Sequence, residues 1–172
     1  MTYSELVKAR YSCRKFSARP VEEEKLSAII DAGISAPTAK NAQPVKIWVM
    51  KSAEAREKIC SCAPFTWMKE VPAVFVIGGT KEGAFLRPSD GRSFGDVDAT
   101  IVATHMMLAV EAEGLGTTWV GYFDAPKMKE LFPAMKDYDL VAVFPVGYPA
   151  DDSMPSDRHY VRKSLDEMVS VL

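Results

Sequence analysis

Arg10-Tyr11-Ser12-Cys13-Arg14, followed after a helix-like segment by Ala36-Pro37-Thr38-Ala39-Lys40-Asn41-Ala42-Gln43-Pro44, carries most of what can be read from this chain. In extended backbone the side chains alternate, so Arg10, Ser12 and Arg14 share one face while Tyr11 and Cys13 take the other. Two planar guanidinium forks flanking a hydroxyl suit a phosphate dianion, whose oxygens they can bind bidentately. The second stretch is rich in turn residues and small polar groups, the composition of a loop that offers amide and hydroxyl contacts to a ligand. Both point to a phosphorylated cofactor. The chain contains no glycine-rich dinucleotide fingerprint and no phosphate loop to cradle it.

Working outward, Thr2-x-x-Glu5 ahead of Leu6 and Val7 is a capping box and predicts a short helix over 2–10. Pro20-Val21-Glu22-Glu23-Glu24 opens a second helix, its acidic first turn matching the positive end of the helix dipole. Leu26, Ile29, Ile30 and Ile34 then recur at helical spacing, and Pro37 ends the pattern. Val45 to Met50 alternates as a strand, Ser52 to Cys62 reads as helix, and Pro72 to Gly79 is the apolar, β-branched run of a central strand. Lys81 to Phe94 has no period, and a loop of this length is more often functional or mobile than a plain connector.

Asp96 to Glu113 is the longest helical pattern, with Val97, Ile101, His105, Leu108, Ala109 and Ala112 on one stripe. Ala99, Ala103 and Met106 keep much of its other side apolar, so the helix is expected in a core or a subunit interface. Gly114 and Gly116 end it. Thr117 to Phe123 reads as a strand, Asp124 caps a helix to Phe132, and Leu140 to Val146 reads as a fourth strand. From Tyr148 the chain is proline-rich and polar, and Ser164 to Leu172 offers a last amphipathic turn or two. Four strands among helices predict a layered α+β or α/β fold, read as one domain over 1–172.

With 172 residues and 48% apolar content the chain can bury a full core. A formal charge of −2 gives no electrostatic reason to expect nucleic acid or an anionic membrane as partner. No apolar run approaches the ~18 residues of a membrane span, and Met1-Thr2-Tyr3-Ser4-Glu5 lacks the basic and apolar regions of a signal peptide. The three cysteines are an odd number, and Cys60 and Cys62 sit too close for an ordinary bridge, so reduced thiols and a cytoplasmic location are expected. Cys60-x-Cys62 also lacks the second ligand pair of a zinc site. Cys13 is expected to be buried and His105 to be a hydrogen-bonded interior histidine, while His159 has no evident partner.

Taken together, Arg10-x-Ser12-x-Arg14-x-Phe16, Ala36-Pro37-Thr38-x-x-Asn41-x-Gln43-Pro44, Glu113-Gly114-Leu115-Gly116, Thr118-Trp119-Val120-Gly121 and Gly147-Tyr148-Pro149 followed by Arg162-Lys163 make a recognisable series. The chain resembles the nitroreductase family of FMN-dependent oxidoreductases along nearly its whole length, as a short member. The resemblance implies a three-layer α+β fold, a central mixed or antiparallel sheet flanked by helices, built as an intertwined homodimer with FMN at the interface. It implies that Arg10 and Ser12 hold the phosphate with Arg162 or Lys163, and that Arg14 holds the phosphate or reaches the pyrimidine edge of the flavin. Pro37, Thr38 and Asn41 would come from the partner subunit, with Trp119, Gly121 and Tyr122 beside the ring. It further implies a ping-pong cycle from NADH or NADPH to a small flat acceptor such as a nitroaromatic, quinone or activated alkene. A non-catalytic FMN-storage or sensing protein is the alternative. Val45 stands where many members carry Trp, and Phe65, Trp67 and Lys69 offer no clear counterpart to flavin-contacting residues of some members.

Overall fold

The structure is a computed structural model describing residues 1–172. Its helices are α1 (Tyr3–Ala9), α2 (Glu23–Ile34), α3 (Ala53–Cys60), α4 (Gly95–Ala112), α5 (Ala125–Leu131) and α6 (Leu165–Met168). Its strands are β1 (Val45–Met50), β2 (Ala73–Gly79), β3 (Gly116–Thr117) and β4 (Asp139–Gly147), in one sheet of order β1-β2-β4-β3. Every ladder in it is antiparallel.

The apolar run of β2 forms a strand because both of its faces are covered. Its seven residues are all buried, and its side chains alternate between two separate cores. Phe75 and Ile77 join Phe144 of β4, Ile29 of α2, and Ala99, Val102, Ala103 and Met106 of α4. Val74 and Val76 face the opposite way, with Ile59 of α3, Met128 of α5 and Val143 of β4. The result is three layers, α2 and α4 on one side of the sheet and α3 and α5 on the other. A bulge between Ile77 and Gly78 shifts the register against β4.

Local chemistry sets the helix ends. Thr2 and Glu5 cap α1 reciprocally, Ser52 accepts from the Ala55 amide at the start of α3, and Asp124 accepts from Lys127 at the start of α5. No helix is long and apolar enough to cross a membrane.

Three expectations need correction. The strand over 117–123 shortens to Gly116–Thr117, with Val120 returning as an isolated bridge to Val143. Between them the register sets Thr118 opposite Pro145, which has no amide to donate, and the ladder breaks there, while Trp119 Nε1 donates to the Val141 carbonyl at 3.1 Å. The stripe assigned to α4 is the other face: Asp98, Ala99, Val102, Ala103, Met106 and Val110 are buried, while Val97, Ile101 and Leu108 are half-buried. His105, expected inside, is exposed.

Gly79 and Gly95 let the start of α4 lie against the end of β2. A Cβ on Gly79 would stand 1.9 Å from the Gly95 carbonyl oxygen, and one on Gly95 would stand 2.2 Å from that of Thr80. Backbone cannot yield there as a side chain could. Gly79→Ala should therefore cost at least about 2 kcal/mol, as overpacking that shifts backbone does, measured by urea unfolding. A loss below ~0.5 kcal/mol, the range of a neutral surface change, would show that the helix can retreat.

Candidate functional site

The segment Arg10–Arg14 leaves α1 at its C-cap, where Arg10 turns to extended backbone. Ser12 bridges in parallel to Thr117, and the Cys13 amide donates to the Thr117 carbonyl at 2.9 Å. Cys13 is fully buried, its thiol 3.2 Å from the Lys15 carbonyl oxygen and 3.4 Å from Ser153 Oγ. A Cβ on Gly116 would lie 2.8 Å from both Cβ and Sγ of Cys13, so β3 presses directly on it. The Tyr11 hydroxyl donates to Ser153 Oγ at 2.9 Å, and burial raises its phenol above the ordinary range. Lys15 pairs with Asp152 at 2.5 Å. With Tyr11 and Cys13 pinned inward, alternation leaves Arg10, Ser12 and Arg14 on the opposite side.

These three residues line one cavity of about 260 Å³ together with Ser156, Arg158, His159 and Arg162, with no apolar residue in its wall. None of the four arginines lies within ion-pair distance of a carboxylate. Burial raises the Glu111 carboxyl above its ordinary range, and the charge of Arg10 offsets only part of that rise. Arg14 donates to the Ser12 carbonyl at 3.2 Å and Arg162 to the Val161 carbonyl at 2.7 Å, which orients the forks without neutralising them. Four guanidinium groups, none in a direct ion pair, make an anion site of planar, bidentate donors.

A second cavity, of about 110 Å³, adjoins the first through Arg14. Phe65, Trp67, Thr118, Trp119, Val120, Gly121 and Tyr122 complete its wall. Phe65 stands with its centroid 5.6 Å from Trp67 and 6.4 Å from Tyr122, and Trp119 packs edge-on against Phe144 at 5.3 Å. Aromatic walls beside a cation suit a flat ring carrying negative character at one edge.

Of the residues singled out from sequence, the structure thus brings together Arg10, Ser12, Arg14 and Arg162 at one cavity, and Arg14, Trp119, Gly121 and Tyr122 at the next. Lys163 lines neither. Thr38 lines a separate groove of about 290 Å³ with Ile30, Ile34, Gln43, Val45 and Ile47, while Pro37 and Asn41 are exposed. Within one chain this loop and the cation cavity share no residue. Sequence reading missed Ser156 and Arg158, and it named His159, Phe65 and Trp67 without giving them a place in the site. The spacing of Arg158 and Arg162 was a usable signal, since two cations four residues apart in a polar stretch can serve one anion. Tyr148 turns elsewhere: its hydroxyl donates to Glu22 at 2.7 Å, which with Arg19 holds that carboxyl at about 2.

The model of the nitroreductase family matches residues 7–64 and 61–148. A nitroreductase family protein of Clostridium difficile has a solved structure that is 34% identical, with a TM-score of 0.90 over 99% of this chain and 98% of that one. The NAD(P)H FMN reductase of Bacillus subtilis is 28% identical over 163 residues, covering 86% of this chain and 66% of that protein. A structure from Exiguobacterium sibiricum in complex with FMN shares the fold at a TM-score of 0.85 and 20% identity, over 100% of this chain and 98% of that one. The chain belongs to the nitroreductase family.

The cation cavity makes a prediction independent of any cofactor. Inorganic phosphate should raise the unfolding temperature, because a ligand that binds only the folded state stabilises it. Arg158→Ala should weaken phosphate by about tenfold, whereas Lys163→Ala, an exposed charge outside the wall, should leave it within about twofold. Titrations followed by thermal shift decide between the two residues.

Proposed function

We propose that this protein is an FMN-dependent NAD(P)H oxidoreductase that passes electrons to a small flat acceptor. The observation carrying this reading is that one residue, Arg14, lines both the cation cavity and the aromatic cavity. A phosphate site joined through a cation to a flat aromatic slot fits a phosphorylated ring system better than it fits a free anion. Family membership, with an FMN reductase among the relatives and FMN bound in a structure of the same fold, supports a flavin as that ring system.

When bound, FMN would supply the two-electron chemistry between NAD(P)H and the acceptor. The residues of the chain do the rest. Arg10, Ser12, Arg158 and Arg162 would hold the phosphate, the guanidinium groups gripping oxygens that the hydroxyl orients. Arg14, at the junction, would place fixed positive charge beside the ring, where reduction leaves negative charge; charge aimed in advance at that position raises the reduction potential. Trp119, held by its bond to the Val141 carbonyl, would keep the backbone of Gly121 and Tyr122 at the ring's side. Tyr122 is 74% exposed, which leaves the slot open to a flat donor or acceptor.

A second copy of the chain would complete the site. Pro37, Thr38 and Asn41 lie on a loop away from the cation cavity, and α4 keeps Val97, Ile101 and Leu108 only half-covered in one chain. Both features suit a homodimer in which this loop faces the partner's flavin. The three free, buried cysteines suit the reducing conditions of the cytoplasm.

The test is direct. Purified protein should carry or take up FMN, and NADH or NADPH without oxygen should bleach the flavin band; bound flavin that no donor bleaches would reduce the reading to a binding protein. Arg10→Ala should weaken FMN by about ten- to a hundredfold, the worth of a charge-assisted bond to phosphate. Riboflavin, which lacks the phosphate, should bind nearly as before. Arg14→Ala should lower the potential of bound FMN by ~30 mV or more, equivalent to ~1.4 kcal/mol for a two-electron couple; an unchanged potential would assign Arg14 to the phosphate alone.

A further inference from the structure

Asp98 is the one buried carboxyl on the inner face of α4, 1% exposed among Ala99, Val102 and the apolar core beyond. Its Oδ1 accepts a hydrogen bond from the Ala39 amide at 2.9 Å, while its Oδ2 is buried with no partner. A carboxyl with half its acceptor capacity unmet in an apolar layer does not favour folding, and the small side chains around it show that alanine suits this helix face. What Asp98 does is reach across 59 positions of sequence and hold one amide of the loop after Pro37.

That loop needs holding. Lys40, Asn41 and Gln43 have φ of 53°, 56° and 53°, the left-handed region, and none of them is glycine. Such conformations cost free energy at each residue and persist only where surrounding structure imposes them. Most of the loop's bonds are internal: Asn41 amide to Thr38 carbonyl at 2.9 Å, Ala42 amide to Ala39 carbonyl at 3.1 Å, Gln43 amide to Thr38 Oγ1 at 3.1 Å. Asp98 is the only side chain outside the loop that hydrogen-bonds to its backbone, and it does so at the residue just before the left-handed turn. The exposed polar groups of Asn41 and Gln43 are presented by that turn.

We infer that Asp98 is a positioning residue for flavin binding: through the Ala39 amide it fixes the left-handed loop 39–43 in the shape that offers Thr38 and Asn41 to the cofactor. The inference rests on the proposed function, in which this loop meets the flavin of the partner subunit. It acts at the ring and ribityl end, away from the cation cavity, and this separates it from the phosphate residues.

The experiment compares FMN and riboflavin affinity, by quenching of flavin fluorescence, for wild type, Asp98→Ala and Asp98→Asn, with the unfolding temperature of each apoprotein recorded. Asp98→Ala should weaken FMN and riboflavin alike by about tenfold, the loss of one buried acceptor bond. Asp98→Asn, which keeps Oδ1 as acceptor, should bind both within about threefold of wild type. Backbone amide exchange at 39–43 should speed up in Asp98→Ala and return toward wild type in Asp98→Asn, a readout that global destabilisation would not confine to the loop. Should Asp98→Ala fail to fold, Asp98→Ser replaces it, its hydroxyl being too short to reach Ala39. Unchanged flavin affinity in the alanine or serine variant overturns the inference, as does a loss of FMN alone, or an asparagine variant that falls as far as alanine. Wild-type protein that binds neither flavin overturns the proposed function instead.

Discussion

The bond from the Cys13 amide to the Thr117 carbonyl governs the site. Arg10 and Arg14 repel one another, and no carboxylate stands between them as a counterion. They can share a wall only if the backbone is fixed from the other side. Cys13, buried against Gly116, does this from within the fold, and Tyr11 and Lys15 add their bonds to Ser153 and Asp152. The thiol at this position packs as a small apolar group. Its place between two arginines is structural, which explains how an otherwise unremarkable residue comes to sit inside an anion-binding motif.

The layers around that bond follow from β2. A strand with core on both faces obliges helices to cover each side, and the chain alternates its connections accordingly. Because β3 has only two residues, its place at the edge depends on β4 and on the Arg10–Arg14 segment that bridges to it. The aromatic slot therefore forms where a short edge strand gives out. Past Thr117 only Val120 returns to pair with Val143, and Thr118 to Tyr122 line a cavity.

Much of this was legible in the chain because the signals were local. Thr2 with Glu5, Ser52 and Asp124 are caps that act within one helical turn, and the apolar run of β2 reads as buried wherever it lies. Alternation in Arg10–Arg14 was enough to place three polar residues on one side. The inner face of α4 was not legible, because periodicity reports orientation only when one side is polar, and this helix is apolar nearly all round. The end of β3 was not legible either, since it falls where Pro145, far along the chain and without an amide to donate, stands opposite Thr118. Arg158 went unread and His159 was left without a partner because nothing in the chain between them and Ser12 states that the tail folds back.

The tail that brings Arg158, His159 and Arg162 to the cavity is held differently from the opposite wall. Beyond Ser153, every hydrogen bond of the tail is made within the tail itself. One wall of the cavity is thus bonded to the sheet, and the other is held in shape by bonds within the tail. Arg10 and Arg14 charge the anchored wall and Arg158 and Arg162 the tail wall, so an anion seated between them would link tail to sheet side and tie the placement of residues 156–162 to its own binding.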